Sequence, residues 1–465
     1  MDATRRTITL VICVCCMAAL GGAVGAADEP YLELARRGMI AVQPMDESPV
    51  PLPPVNIPDP TGQAGAWNAE KAAATVRALT LADLRLIAQQ SNPTLAQAQM
   101  AVRAAQGRQI QAGLYPNPEI GYSGEEIGSE GKSGMQGSFV AQEIVTAGKL
   151  RLAQSAAGHG ATAARHRLEA QRWRVMNAVR AGFYEVLLAQ KTVSIHQDLL
   201  QVSNEAMDIT SRLREAQEVS KAEVLQARIE AERAEVRLFM ARNRHRTAWY
   251  QLAAVVGQPK MQPAPLDGDL IRDLPTITWD EGLARLLSGS PELAQARSKI
   301  QQARCNVALQ CAERHSNFSV EAGVKYDGAG EDTLADVGVA IPLKIFDRNQ
   351  GNIVSAQAEL IAATREVERL ELELFNRFAE AFEGYANANR QVQLFRSNIL
   401  DNARESLDLV ATGYREGEFD YLSLLTAQRT YFSANLEYLD ALRELWQRSI
   451  ELDGLMLTGG LASVQ

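Results

Sequence analysis

Aromatic residues make up only 6% of the 465-residue chain, although 46% of residues are hydrophobic. That shortage disfavours a compact mixed core, and the abundance of Ala, Leu, Glu, Gln and Arg favours long helices. No basic face or basic tail stands out and the formal net charge is -9, which argues against nucleic acid as a partner. Cysteine is scarce, and three of the five, Cys13, Cys15 and Cys16, fall in an N-terminal apolar run. The other two, Cys305 and Cys311, are six apart in a helical pattern. Six helical residues rise about 9 Å, beyond the roughly 7 Å over which Cα atoms can be bridged. They read as unpaired small residues, with a redox pair or metal site as the alternative.

Catalytic patterns are missing as well. His159, His166, His196, His245 and His315 form no HxH or HExxH set. His159 and His166 stand two turns apart on one helix face, and His196 continues an apolar stripe. The "AGK" at Ala147–Lys149 is no phosphate loop, because Leu150 follows the lysine and Glu143 stands where the first glycine belongs. With no nucleophile–base pair to place, the chain is expected to be no enzyme and to need no cofactor or resident metal. No segment offers about eighteen uninterrupted apolar residues, as a spanning helix requires.

What is present starts with an export signal. Arg5 and Arg6 precede the apolar run Ile8–Leu20 and then small residues, so 1–26 is expected to be a cleaved signal peptide. None of the three cysteines follows a Leu-small-small pattern, which favours ordinary cleavage over lipid attachment. The Pro-rich stretch Ser48–Pro60 marks 27–78 as an extended segment. An exported chain without a spanning helix is periplasmic, secreted or an outer-membrane β-barrel.

The rest is duplicated. "SNPTLAQAQ" (Ser91–Gln99) matches "GSPELAQAR" (Gly289–Arg297), and "VSKAEVLQA" (Val219–Ala227) matches "FDYLSLLTA" (Phe419–Ala427), both about 200 residues on. Two repeats follow, 79–257 and 277–457, joined by 258–276 and ended by a tail, 458–465. In the first, strands are expected near 118–127 and 134–145, a long helix over 148–216 and a returning helix over 220–256. In the second they are expected near 317–327 and 333–346, over 349–416 and over 420–456.

The strands alternate. Phe318, Val320, Ala322, Val324 and Tyr326 interleave with Ser319, Glu321, Gly323, Lys325 and Asp327, and Val337, Val339 and Ile341 lie on one side of the partner. In the first repeat Ile120 and Tyr122, and Met135 and Phe139, are the apolar positions. "GSEGKS" (Gly128–Ser133) and "GAGED" (Gly328–Asp332) suit hairpin turns. An amphipathic hairpin on a soluble core has this pattern. So does a membrane barrel, apolar outside and charged within, and each strand is about the ten residues a tilted membrane strand needs. One chain supplies four strands and cannot close a barrel, which takes about eight. An open edge in lipid costs several kcal/mol per unpaired group, so copies must pool their strands. Two copies give eight and three give twelve; only twelve leaves an obvious channel.

The helices carry a 4-3-4-3 stripe: Ala356, Leu360, Ala363, Val367, Leu370, Leu374, Arg377, Ala381, Gly384 and Ala388, broken only by Arg377. Val175, Val179, Gly182, Val186, Ala189 and Val193 repeat it in the first copy. This is a coiled-coil seam, which a periplasmic coiled-coil scaffold would also possess. The long helices stop at matched turns. Gly417 breaks the second, with Asp420 as cap of the returning helix; Ser220 is the cap in the first, where no glycine appears. In "IPLKIFDRNQGNI" (Ile341–Ile353) the strand is expected to end at the membrane surface, with Asp347 or Asn349 capping the helix that enters water.

At these residues the chain resembles the TolC-type outer-membrane efflux family over about Thr80–Met456. "AGLYPNPEI" (Ala112–Ile120), "IPLKIFDRNQGNI" and "GYREGEFDYLSLLTAQRTYFSA" (Gly413–Ala434) are most similar to its heavy-metal (CzcC/CusC-like) branch. The resemblance implies a mainly α fold with a small β part: a homotrimer forming a twelve-stranded barrel in outer-membrane lipid, continued by a long periplasmic α-helical barrel. It implies a passive exit duct coupled to a periplasmic adaptor and an inner-membrane resistance-nodulation-division pump. Drug-efflux and type I secretion ducts share that plan. Tyr414 matches a family position that holds the entrance shut. Two aspartates that some members carry are replaced by Ser423 and Thr426, leaving Glu223, Glu416, Glu418 and Asp420 to supply negative charge there. The turns, with Gln217, Val219, Ser220, Gly417 and Phe419, are where the adaptor is expected to dock. Ile120, Tyr122, Phe139, Phe318, Val320, Val324, Tyr326, Val337, Val339 and Ile341 are expected to face lipid.

Overall fold

The computed structural model describes residues 78–128, 134–272, 274, 276–328 and 330–462. The expected signal peptide, the Pro-rich segment up to residue 77, residues 129–133 and 329 of the two hairpin loops and the end of the tail, 463–465, lie outside the described residues.

Each repeat opens on two consecutive helices. Thr80 caps α1 (Leu81–Ser91) in a reciprocal box, its Oγ1 accepting from the Asp83 amide at 3.2 Å while its own amide donates to Asp83 Oδ2 at 3.1 Å. Asn92 then caps α2 (Pro93–Ala112), whose first residue is a proline with no amide to leave unsatisfied. β1 (Glu119–Glu125) and β2 (Met135–Ile144) lead to α3 (Lys149–Glu215), 67 residues and roughly 100 Å long, and α4 (Lys221–Val256) returns. The second repeat follows the same order. α5 (Trp279–Gly289) precedes α6 (Pro291–Ala312), where Ser290 and Pro291 repeat the cap and proline. After β3 (Phe318–Asp327) and β4 (Asp332–Ala340) come α7 (Gln350–Leu394), a π-helical turn (Phe395–Ile399) and α8 (Leu400–Arg415). α9 (Tyr421–Asp453) closes the repeat. The single long helix expected over 349–416 is thus interrupted once.

The strands form one antiparallel sheet in the order β1-β2-β3-β4, with β1 and β4 as edges. The helices follow the same order. Near the sheet α2 packs on α3, α3 on α6 and α6 on α7; toward the turns α4 packs on α3, α3 on α9 and α9 on α7 and α8. The two repeats therefore lie side by side, and each row of helices has an unpaired end.

The connector after β4 corrects the sequence reading. The ladder ends at Ala340, so Ile341 is not a strand residue, and Leu343, Ile345 and Phe346 are exposed outside it. Pro342 has no N–H to continue the ladder. Its carbonyl accepts from the Ser316 hydroxyl instead, and Lys344 Nζ donates to Glu313 O at 2.6 Å, fastening the connector to the α6–β3 turn. Asn349 stands at the N-cap position of α7 but its side chain accepts from no helix amide, and Asp347 lies ahead of the helix start. Asn349 is left-handed, φ 61°, and its amide side chain donates to Gln310 O at 2.8 Å, while Asp347 Oδ1 accepts the Asn349 amide at 2.8 Å.

Two tryptophans fasten the linker between the repeats to the core. Trp249 Nε1 donates to Met261 O and Trp446 Nε1 to Leu270 O, both at 3.0 Å, and each indole is almost fully buried. Trp446 stacks on Tyr184, ring centroids 3.5 Å apart, so a second-repeat helix locks onto a first-repeat one. Arg377, the break in the α7 stripe, is half-buried. It pairs with Glu292 at 3.5 Å and donates to Met456 O, serving the fold without entering the seam.

Candidate channel wall and turn-end mouth

Strand register decides what each face of the sheet can do. Residues paired across an antiparallel ladder share a face. Ile120 pairs with Val140, Val140 with Ala322 and Ala322 with Val337, which sets Tyr122, Val320, Val324, Tyr326 and Val339 on that same side, with Phe318 beginning it. This face bears no charged residue, and Ile120 and Val337 are 82% and 75% exposed. Every charged strand residue lies on the other face: Glu119, Glu125, Glu143, Glu321, Lys325, Asp327, Asp332 and Asp336. Lys325 is the one cation among them. Its Nζ meets Glu125 at 2.8 Å and Asp336 at 3.2 Å, crossing β2 over Gly137, where any Cβ would strike its side chain.

Phe139 does not belong with the apolar set. It pairs with Gly121 and Gly323 and so lies on the charged face. Its ring covers Gly121, where an added Cβ would come within 2.2 Å of it. An aromatic lying across glycines is wall packing. The β2 positions on the uncharged face are instead Gln136, Ser138, Val140, Gln142 and Ile144.

The turn end has its own geometry. Glu218 N donates to Leu213 O at 2.9 Å and Glu418 N to Gly413 O at 2.8 Å, the same closure in both repeats. The left-handed residue is Gly417 (φ 80°) in the second turn and Gln217 (φ 64°) in the first. Ser220 caps α4 through the Glu223 amide at 3.3 Å, and its hydroxyl donates to Glu223 Oε1 at 3.1 Å. Asp420 caps α9, accepting from the Ser423 hydroxyl and from the Ser423 amide at 2.9 Å, and these bonds hold its carboxyl below the usual range. Thr426 turns its hydroxyl back to Leu422 O at 2.8 Å. Phe419 is half exposed and seats its ring over Gly413, while Val219 is half-buried and Glu416 and Glu418 are exposed.

Tyr414 is buried and couples the repeats: its hydroxyl lies 3.2 Å from the Thr210 hydroxyl on α3. Tyr421 packs beside it, ring centroids 6.3 Å apart, and burial pushes the Tyr421 phenol up to about 12. About two turns further along α9, Arg429 pairs with Glu230 on α4, which also holds Arg233 at 3.0 Å. Tyr414, Thr210, Tyr421, Glu230 and Arg429 thus form one polar seam between the repeats, near the solvated acids Glu416 and Glu418. Sequence reasoning placed Tyr414 here but not Thr210 or Glu230, whose partners lie some two hundred residues away and leave no local pattern.

Elsewhere the singled-out residues serve packing. Lys149 is buried, its Nζ donating to His315 O and Asn317 Oδ1 at 2.7 Å each. His196 sits in the α3 stripe, where burial and then Arg237 hold its pKa below the ordinary value. Cys305 and Cys311 are unpaired. Among the described residues no cluster of His, Cys, Asp and Glu has the makings of a metal site.

The chain as a whole has relatives among known proteins. A family model described as "Outer membrane efflux protein" matches twice, over residues 84–258 and 282–456. The cobalt-zinc-cadmium resistance protein CzcC of Cupriavidus metallidurans is 28% identical over 378 residues, covering 81% of this chain and 90% of CzcC. The fold is that of solved channel structures. The outer-membrane channel OprN superposes with a TM-score of 0.69 at 21% identity, covering 82% of this chain and 90% of OprN. CusC also gives 0.69, at 18% identity, with 82% and 92% covered. The repeat, the four-stranded sheet and the paired long helices all fall within these matches, and the chain belongs to the outer membrane efflux protein family.

Proposed function

We propose that three copies of this chain close head to tail into a passive exit duct for heavy-metal cations, the outer-membrane part of a tripartite efflux system. The sorting of every strand charge onto one face carries this reading. An apolar outside meets lipid and a carboxylate-rich inside lines water. Three copies pair each β4 with the next β1, giving twelve strands and no edge in hydrocarbon. The same step brings α7 of one copy to α2 of the next, and α8 to α4, along the unpaired ends of both helical rows.

Seven inward carboxylates against one lysine per chain favour cations over anions in the lumen. Together with the likeness to CzcC, this supports metal cations over neutral drugs or secreted proteins. In an assembled system the adaptor meets Gln217, Val219, Ser220, Gly417 and Phe419, and an inner-membrane resistance-nodulation-division pump supplies the energy. A strain lacking the gene is expected to become sensitive to cobalt, zinc or cadmium while its tolerance of drugs is kept. Sensitivity to drugs alone would transfer the chain to the drug-efflux group.

The polar seam at Tyr414 is the latch of the mouth in this reading. Tyr414→Phe removes the bond to Thr210 and keeps the ring, so the trimer is expected to assemble normally and to conduct several-fold better in planar bilayers. Unchanged conductance would make Tyr414 a packing residue only.

A further inference from the structure

The long helices of the two repeats differ in one respect that neither the fold nor the proposed duct requires. In α3 a stripe of buried and half-buried residues runs unbroken through Ala189, Thr192, His196, Leu199, Ser203, Ala206, Thr210 and Leu213, spaced three and four throughout. In the second repeat it runs Tyr385, Ala388, Val392, Phe395, then Leu400, Ala403, Leu407, Val410 and Tyr414. The step from Phe395 to Leu400 is five. An α-helix turns 100° per residue, so one extra residue would swing everything below it off the seam. The chain absorbs that residue as the π turn Phe395–Ile399, in which the Leu400 amide donates to Phe395 O, five residues back.

The partner helix is altered at the same level. Tyr438 on α9 faces the turn, its ring 6.2 Å from that of Phe395. Its hydroxyl is buried and makes no hydrogen bond. At the same level of the first repeat the α3 stripe continues through His196 on an unbroken helix, and α4 carries Leu238, a buried aliphatic two hundred residues before Tyr438. A ring thus stands on the partner helix in place of an aliphatic side chain where the stripe takes its extra residue. The π turn itself is poorly covered, with no buried residue and with Ile399 40% exposed. Single π turns of this kind gather at functional positions. An unpartnered buried hydroxyl is costly, and any rearrangement that gives it a partner relieves that cost.

We propose that the π turn Phe395–Ile399 is the hinge on which α8 swings, carrying Tyr414 and the second turn, while the first repeat's arm stays rigid. This rests on the duct reading and adds to it where the moving arm bends. Deleting Ser397, an exposed residue of the turn, restores a spacing of four and removes the extra residue without touching the seam.

The test uses spin labels at Glu418→Cys in the full-length trimer, with Cys305→Ala and Cys311→Ala as background, and reads the distances between the three labels. The parent is expected to give a broad or two-peaked distribution, and the Ser397 deletion one several-fold narrower. Equal widths would overturn the proposal. If the deletion does not assemble, the double variant Phe395→Ile and Tyr438→Leu, which removes both rings from the turn, takes its place under the same criterion. Failure of the duct reading is separate: it appears as a parent protein that does not conduct in planar bilayers.

Discussion

Val337→Lys is expected to abolish insertion of the trimer into the outer membrane, whereas Gly338→Lys, one residue along the same strand, is expected to insert normally. Val337 lies 75% exposed on the face without charges. A lysine near the bilayer midplane of a barrel costs about 2–4 kcal/mol, and each trimer would carry three. Gly338 lies on the opposite face, paired with Glu321, and an added Cβ there meets only the Glu321 Cβ, at 3.9 Å. A lysine at 338 enters a field of carboxylates and gains a partner. Heat-modifiable migration and membrane fractionation of the two variants check this. Equal behaviour would mean that the apolar face does not meet lipid.

The second large effect belongs to the helices. Trp446→Ala is expected to destabilise the protein by about 3–5 kcal/mol, the range for removing a buried aromatic side chain. Trp446 is 1% exposed, stacked on Tyr184 and covered by the Arg180 guanidinium 5.6 Å from its ring centre. Its loss also leaves Leu270 O without its donor. Trp446→Phe keeps most of the stacking and loses the bond, so a cost of about 1–2 kcal/mol is expected. Denaturant unfolding of the detergent-solubilised protein measures both. A cost for Trp446→Ala no larger than that of Trp446→Phe would show that the ring does not join the two repeats.

Much of this molecule was legible because its signals are periodic. Alternation exposed β3, and the seam of α7 was visible from Ala356 to Ala388; the caps at Ser220 and Asp420 followed from side chains that bond only their near neighbours. Where a residue's role depends on a distant partner, local pattern fails. Phe139 looks like a lipid-facing aromatic until the register sets it across Gly121 and Gly323. The strand expected over 333–346 ends early because Pro342 cannot donate, and because Ser316 and Lys344 hold the connector to a turn that no local pattern relates to it. Asn349 does take the N-cap position, but its Oδ1 accepts from the Asn352 side chain instead of a helix amide. The π turn was readable in principle as a five-residue step in the stripe; the apolar pattern was followed only to Ala388, short of Phe395. At the mouth, Tyr414 and the acids were in view, while Thr210 was hidden by separation along the chain.

The mass of the mature protein purified from outer membranes in mild detergent bears most directly on the whole scheme, since four strands with two free edges cannot seal alone. A ring closed by pairing β4 with the next β1 predicts a particle of three chains that stays together until the barrel is melted. A stable, monodisperse particle of one chain, with the Ile120 and Val337 face covered by its own residues, would contradict it.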